Sequence, residues 1–129
     1  MWAQWSTYAG NTASTIVDSG GTDTLDLSGF SNNTVINLAP SDRTATSPSV
    51  SSIGGKVGNL TIAEGTIIEN AIGGAGSETF YGNSADNTLT GNGGDDTFHD
   101  SLGSDTYLGG SGTDWVLFAG NFFPTIRSR

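Results

Sequence analysis

Apolar side chains in this chain come in short β-rich runs separated by turn clusters. Five such runs, Ser14 to Val17, Thr24 to Leu27, Thr34 to Leu38, Leu60 to Ala63 and Thr66 to Ile68, precede residue 73, and helical periodicity is almost absent. Ala39 to Gly55, rich in Ser, Thr and Pro, reads as a long surface loop, because strand signals resume directly after it.

From Gly73 the pattern becomes strict. Five nine-residue blocks run in unbroken register to Leu117: GGAGSETFY, GNSADNTLT, GNGGDDTFH, DSLGSDTYL and GGSGTDWVL. They follow G-G-x-G-x-D-x-U-x, with U apolar, the repeat of calcium-binding parallel β-helices. Position eight holds Phe80, Leu89, Phe98, Tyr107 and Val116, and position six holds Glu78, Asn87, Asp96, Asp105 and Asp114. A further block, DSGGTDTLD, lies at Asp18 to Asp26, with Asp23 in position six and Leu25 in position eight.

Each block predicts a short strand with one inward apolar side chain, preceded by a glycine-rich turn that needs positive φ. Two blocks then make a coil of about eighteen residues, so turns that far apart stack and their position-six side chains face each other. An edge lined by carboxylates and carbonyl oxygens is rich in acceptors and poor in donors. Two carboxylates about 4 Å apart repel by on the order of 4 kcal/mol at an effective dielectric of 20. A hard divalent cation reverses that sign, and calcium, which takes six to eight oxygens in flexible geometry, suits such an edge better than magnesium.

Composition points the same way. Gly accounts for 20 of 129 residues, and Leu, Ile, Val and Phe together for about a fifth, so a hydrophobic core alone offsets little of the ordering entropy. The net charge of −9 disfavours nucleic acid and anionic membrane surfaces as partners, and without Cys there is no disulfide scaffold. The apolar stretches are too short for a membrane span, and Met1 opens no basic-then-apolar leader, so a Sec signal is not expected.

The blocks resemble the repeats-in-toxin (hemolysin-type) β-roll. The stretches TIVDSGGTDTLDLSGFSNNTVINL (Thr15 to Leu38) and GNLTIAEGTIIENAIGGAGSETFYGNSADNTLTG (Gly58 to Gly91) narrow the resemblance to the C-terminal domain of serralysin-type secreted zinc proteases. That resemblance implies an all-β fold, a parallel β-roll, with a β-rich lead-in over 1–72, five repeats over 73–117 and a C-terminal cap or truncated end over 118–129. It implies several Ca2+ ions, each held by positions two, four and six of one turn and one, three and six of the turn two blocks on. One site would use Gly74, Gly76 and Glu78 with Gly91, Gly93 and Asp96. A second would use Asn92, Gly94 and Asp96 with Gly109, Ser111 and Asp114. On the other edge, Asn83, Ala85 and Asn87 with Asp100, Leu102 and Asp105 depart from the pattern, and a weak or empty site is expected there. The family also places an ion between the DSGGTD turn and the IEN segment, implying Gly21, Asp23, the Ile67 carbonyl and Glu69. Asp18, Gly20 and Asp23 would form half of another.

By the same resemblance the chain is a non-catalytic piece of a longer extracellular protein. Its partners would be a parent catalytic domain, a type I secretion apparatus and calcium. The zinc motif H-E-x-x-H is missing, and the sole His, His99, reads as an exposed strand residue. Nothing places a Ser beside His99 for nucleophilic chemistry, and Asp95 and Asp96, being neighbours, point in opposite directions and make no glycosidase pair. The alternative is a carbohydrate- or surface-binding module in which Trp2, Trp5 and Trp115 make contact. Phe118, Phe122 and Phe123 read as a cap on the open end of the roll, and the sequons at Asn32 and Asn59 as chance matches.

Overall fold

The computed structural model describes residues 2–4, 14–41, 49–118 and 121–124, with side chains over 14–41 and 49–118. Its twelve strands are β1 (Trp2–Gln4), β2 (Ser14–Ile16), β3 (Thr24–Asp26), β4 (Thr34–Asn37), β5 (Leu60–Ile62), β6 (Asn70–Ile72), β7 (Glu78–Tyr81), β8 (Thr88–Thr90), β9 (Thr97–His99), β10 (Thr106–Leu108), β11 (Trp115–Phe118) and β12 (Asn121–Pro124). One sheet runs β1-β3-β6-β8-β10 and the other β12-β11-β9-β7-β4, with β2 and β5 forming a short third side. All described strand pairs are parallel except β11 with β12. The fold is an all-β parallel roll.

Alternation of sheets from one block to the next follows from the nine-residue period. Leu25, Ala71, Leu89 and Tyr107 stand in register in one sheet, and Ile36, Phe80, Phe98 and Val116 in the other. These two columns face each other across a thin core in which Phe80 stacks on Phe98 with ring centroids 4.9 Å apart, and Phe98 meets Tyr107 at 5.4 Å. A strand of three residues with one buried centre contributes little alone, so cohesion rests on stacking successive coils.

The lead-in differs from the sequence expectation in two places. The β-branched run Thr66 to Ile68 is not a strand, and the strand falls instead at Asn70–Ile72. Thr66 is committed to a turn, its N–H donating to the Ala63 carbonyl at 3.0 Å and its hydroxyl accepting from the Asp18 N–H at 3.1 Å, so pairing with β3 begins only where the Asn70 N–H reaches the Asp23 carbonyl. Likewise Ala39 to Gly55 is not wholly a surface loop. Residues 42–48 lie outside the described residues, but Ser51 and Ile53 are buried, Ser51 bridging Leu60 and Ser52 bridging Val35 in antiparallel fashion. Asn59 clamps this return, accepting from the Ile53 N–H at 2.9 Å and donating to the Ile53 carbonyl at 3.0 Å.

At the other end, β12 turns back antiparallel on β11, setting Phe123 opposite Val116 and Phe122 opposite Leu117, while Phe118 packs against the core. His99 is half-buried rather than exposed, because Tyr81 in the neighbouring strand stacks on it at 4.2 Å; burial lowers its imidazole pKa.

Candidate metal centre

Turns 73–77, 91–95 and 109–113 stack along one edge of the roll, each leading into a strand of the second sheet. The residues that close them, Glu78, Asp96 and Asp114, are at most 1% exposed, although each is a carboxylate. Burial of an unpaired charge is costly, so the hydrogen-bond partners decide how these groups are held. The Glu78 N–H donates to Asp96 Oδ1 at 2.7 Å and the Asp96 N–H to Asp114 Oδ1 at 2.9 Å, so each carboxylate ties its own coil to the preceding one. Glu78 Oε2 accepts from the Gly74 N–H at 2.9 Å.

That leaves Glu78 Oε1 and Asp96 Oδ2 buried with no hydrogen-bond donor. Burial pushes the Asp96 carboxyl up to about 7, the charges of Glu78, Asp114 and Asp95 adding to the effect against the Glu78 N–H, which favours the ion. Burial raises Glu78 as well, opposed by the Gly74 N–H. Backbone carbonyl oxygens converge beside both carboxylates. A Cβ on Gly91 would collide with Asp96 Oδ2 and lie 2.7 Å from the Gly109 carbonyl oxygen; one on Gly73 would lie 2.6 Å from Glu78 Oε2 and 3.0 Å from the Gly91 carbonyl oxygen. Among the described residues no three carboxylate or imidazole side chains gather at one point, so a cation here would need backbone carbonyls to complete its shell. Such an all-oxygen donor set fits calcium.

The structure therefore brings Glu78, Gly91 and Asp96 together, and Asp96, Gly109 and Asp114. It also alters the role expected for glycine. Positive φ occurs at Asn92, Gly94, Gly110 and Gly112, but not at Gly73, Gly74, Gly76, Gly91, Gly93 or Gly109. At position one, glycine leaves space for the position-six carboxylate of its own turn. The Gly74 and Asn92 carbonyls also hold the next turn, accepting from the Gly93 N–H at 3.1 Å and the Ser111 N–H at 2.8 Å.

The opposite edge, built from turns 18–23, 64–69, 82–87 and 100–105, has a different chemistry. The Asp23 N–H donates to Glu69 Oε2 at 2.9 Å, which sets these two residues side by side. Asp18 instead closes its own turn through the Gly20 N–H at 2.8 Å, while Gly20 and Gly21 are exposed and Ile67 is half-buried. Asp105 Oδ1 accepts from the Asn87 N–H at 2.8 Å, and Asp105 Oδ2 from the Ser101 hydroxyl at 2.9 Å and the Tyr107 hydroxyl at 3.3 Å. The single Tyr107 hydroxyl proton is shared with Asp100 Oδ1, the shorter contact at 2.9 Å; burial, that hydrogen bond and the nearby carboxylates all raise its phenol pKa. Asn83 and Asn87 are buried with their amides hydrogen-bonded, whereas Ala85 is half-buried and Leu102 exposed.

One set of contacts was not anticipated. Position five forms a second ladder: the Ser77 N–H donates to Asn33 Oδ1, the Asp95 N–H to Ser77 Oγ, the Thr113 N–H to Asp95 Oδ1 and the Ser104 N–H to Asp86 Oδ1. Its signal was present, since Ser77, Asp86, Asp95, Ser104 and Thr113 are all polar. Asp95 is exposed and Asp96 buried, as neighbours on a strand entry require. The tryptophans are not gathered: Trp2 lies in β1 of one sheet and Trp115 in β11 of the other, while Trp5 lies outside the described residues.

Comparison with known proteins agrees with this layout. Residues 7–123 match the family described as Peptidase M10 serralysin C terminal. Over 65 residues the chain is 51% identical to metallopeptidase AprA of Pseudomonas marginalis, covering 50% of this chain and 12% of that protein. It is 52% identical over 61 residues to serralysin C of Dickeya chrysanthemi, covering 47% and 11%, and 46% identical over 65 residues to serralysin of Photorhabdus laumondii, covering 50% and 12%. The aligned segment is thus a small part of each relative. Because the match runs through lead-in, repeats and the returning strand, the chain belongs to the serralysin C-terminal family of the M10 peptidases, the non-catalytic region of those proteins.

Proposed function

We propose that this domain is a calcium-binding β-roll of a secreted serralysin-like protease, which folds on calcium outside the cell and stabilises the catalytic domain attached to it. The observation that carries this reading is the pair of buried oxygens, Glu78 Oε1 and Asp96 Oδ2, left without donors in a stack of carboxylates and carbonyls. One ion would sit between the turns of Glu78 and Asp96, with Gly74, Gly76, Gly91 and Gly93 supplying carbonyls. Another would sit between those of Asp96 and Asp114, with Asn92, Gly94, Gly109 and Ser111. A third would join Asp23 and Glu69 with Gly21 and the Ile67 carbonyl.

Calcium binding and folding are then one equilibrium, since the ion binds the stacked turns and not the extended chain. Low cytosolic calcium leaves the calcium-dependent coils unstacked and the chain open to type I export, and extracellular calcium closes the roll. Circular dichroism during a calcium titration tests this. In excess chelator most of the β signal of residues 73–117 is expected to be lost, returning with a midpoint of roughly 10⁻⁴ to 10⁻³ M, or tighter where stacked sites cooperate. An unchanged spectrum and melting point in chelator would contradict it.

A further inference from the structure

On the second edge a buried amide, Asn87, stands where the first edge carries carboxylates, and a second, Asn83, joins it from the start of the same turn. Asn87 Nδ2 donates to the Glu69 carbonyl of the preceding turn at 2.9 Å and to Asn83 Oδ1 at 2.9 Å. Asn83 Nδ2 donates to the Ile68 carbonyl of that same turn at 2.7 Å. The two side-chain oxygens are used as well, Asn87 Oδ1 accepting from the Asn83 N–H and Asn83 Oδ1 from the Ala85 N–H, each at 3.0 Å. Asn87 is 1% exposed and Asn83 6%, yet neither leaves a polar atom without a partner.

The contrast with Glu78 and Asp96 is one of donors. At those residues carbonyls and carboxylate oxygens converge with too few N–H groups, which is the condition a cation relieves. Between turns 64–69 and 82–87 the amide nitrogens supply the positive partial charge themselves. We infer that the Asn83–Asn87 amide pair takes the place of a calcium ion between these two turns, making this junction between lead-in and repeats a calcium-independent staple. The inference rests on the calcium reading of the other edge. It gives the roll a fixed first rung, on which the calcium-dependent coils after residue 90 stack.

Replacing Asn87 by Asp tests the exchange, because the new carboxylate oxygen would face the Glu69 carbonyl and Asn83 Oδ1 with no donor among them. In equilibrium dialysis of the whole chain against calcium, Asn87→Asp is expected to bind an additional equivalent relative to the parent. In excess chelator it should melt below the parent, with calcium restoring the difference. Equal binding and equal melting in chelator would overturn the inference, as would a loss in chelator that calcium fails to restore. Asn83→Ala covers the case in which Asn87→Asp does not fold. It should lower the melting point equally with and without calcium, and a deficit that calcium abolishes would mean that an ion occupies this station. If the parent chain binds no calcium, the proposed function fails. The staple is then still judged in calcium-free buffer, where it requires both variants to melt below the parent, and either one melting with the parent would overturn it.

Discussion

Within the repeats, the two edges of this roll have the same backbone period and opposite chemistry. On one, Glu78, Asp96 and Asp114 stack as buried carboxylates, and oxygens of the first two find no donor. On the other, Asn83 and Asn87 carry their own donors, and Asp105 has both oxygens satisfied, by the Asn87 N–H and the Ser101 hydroxyl. A parallel stack brings identical positions together whatever their charge, so each station needs a donor: an N–H, a hydroxyl or a cation. Which one is used depends on one or two side chains, not on the fold.

The sharpest test of this difference is a pair of substitutions. Asp96 is positioned to serve an ion on either side, so Asp96→Asn is expected to raise the calcium midpoint roughly tenfold or more, a lost charged ligand being worth about 1.5 to 3 kcal/mol. In chelator the same change should leave more residual β signal than the parent keeps, because it removes a buried charge. Asp105→Asn, whose carboxylate is already satisfied, should leave the midpoint where it is. Calcium titrations of both variants followed by circular dichroism would show this, and equal shifts would erase the distinction between the edges.

A smaller effect is expected from pH. Free of metal, the Asp96 carboxyl is raised from 3.8 to about 7 by burial and by Glu78, Asp114 and Asp95, so the folded chain binds its proton more tightly than the unfolded one. Its ionisation therefore costs nothing below the unfolded value and reaches its full cost above the folded one. In chelator, stability should fall by at most about a few kcal/mol as pH rises from about 4 to about 7. Calcium should reverse the trend, since protons compete with it for the same oxygens. A residual β signal in chelator that grows with rising pH across that window would contradict the assignment.

Much of this was legible in the residues. Position eight named the core from Phe80 to Val116, and position six named the side chains that face one another along each edge, because a nine-residue period repeats the same offset in every block; their burial, complete at Glu78, Asn87, Asp96 and Asp114 and partial at Asp105, came only from the stacked turns. The lead-in was harder to read. Thr66 to Ile68 has strand composition, but its fate was set by a hydrogen bond to Asp18, 48 residues away. The third side made by β2 and β5, and the return of Ser51 to Ile53 into the core, likewise depend on long-range partners that no local period announces. Asn87 was visible as a neutral departure from the repeat, with Asn83 in the same block. Their function as donors became clear only once the Ile68 and Glu69 carbonyls were placed against them.

The most direct test of the central claim is to locate the ions. Crystals grown in calcium and measured for anomalous scattering should show peaks between the turns of Glu78 and Asp96 and between those of Asp96 and Asp114, with none at Asn83 and Asn87. Peaks confined to the Asn87 and Asp105 edge, or none beside Asp96, would contradict it.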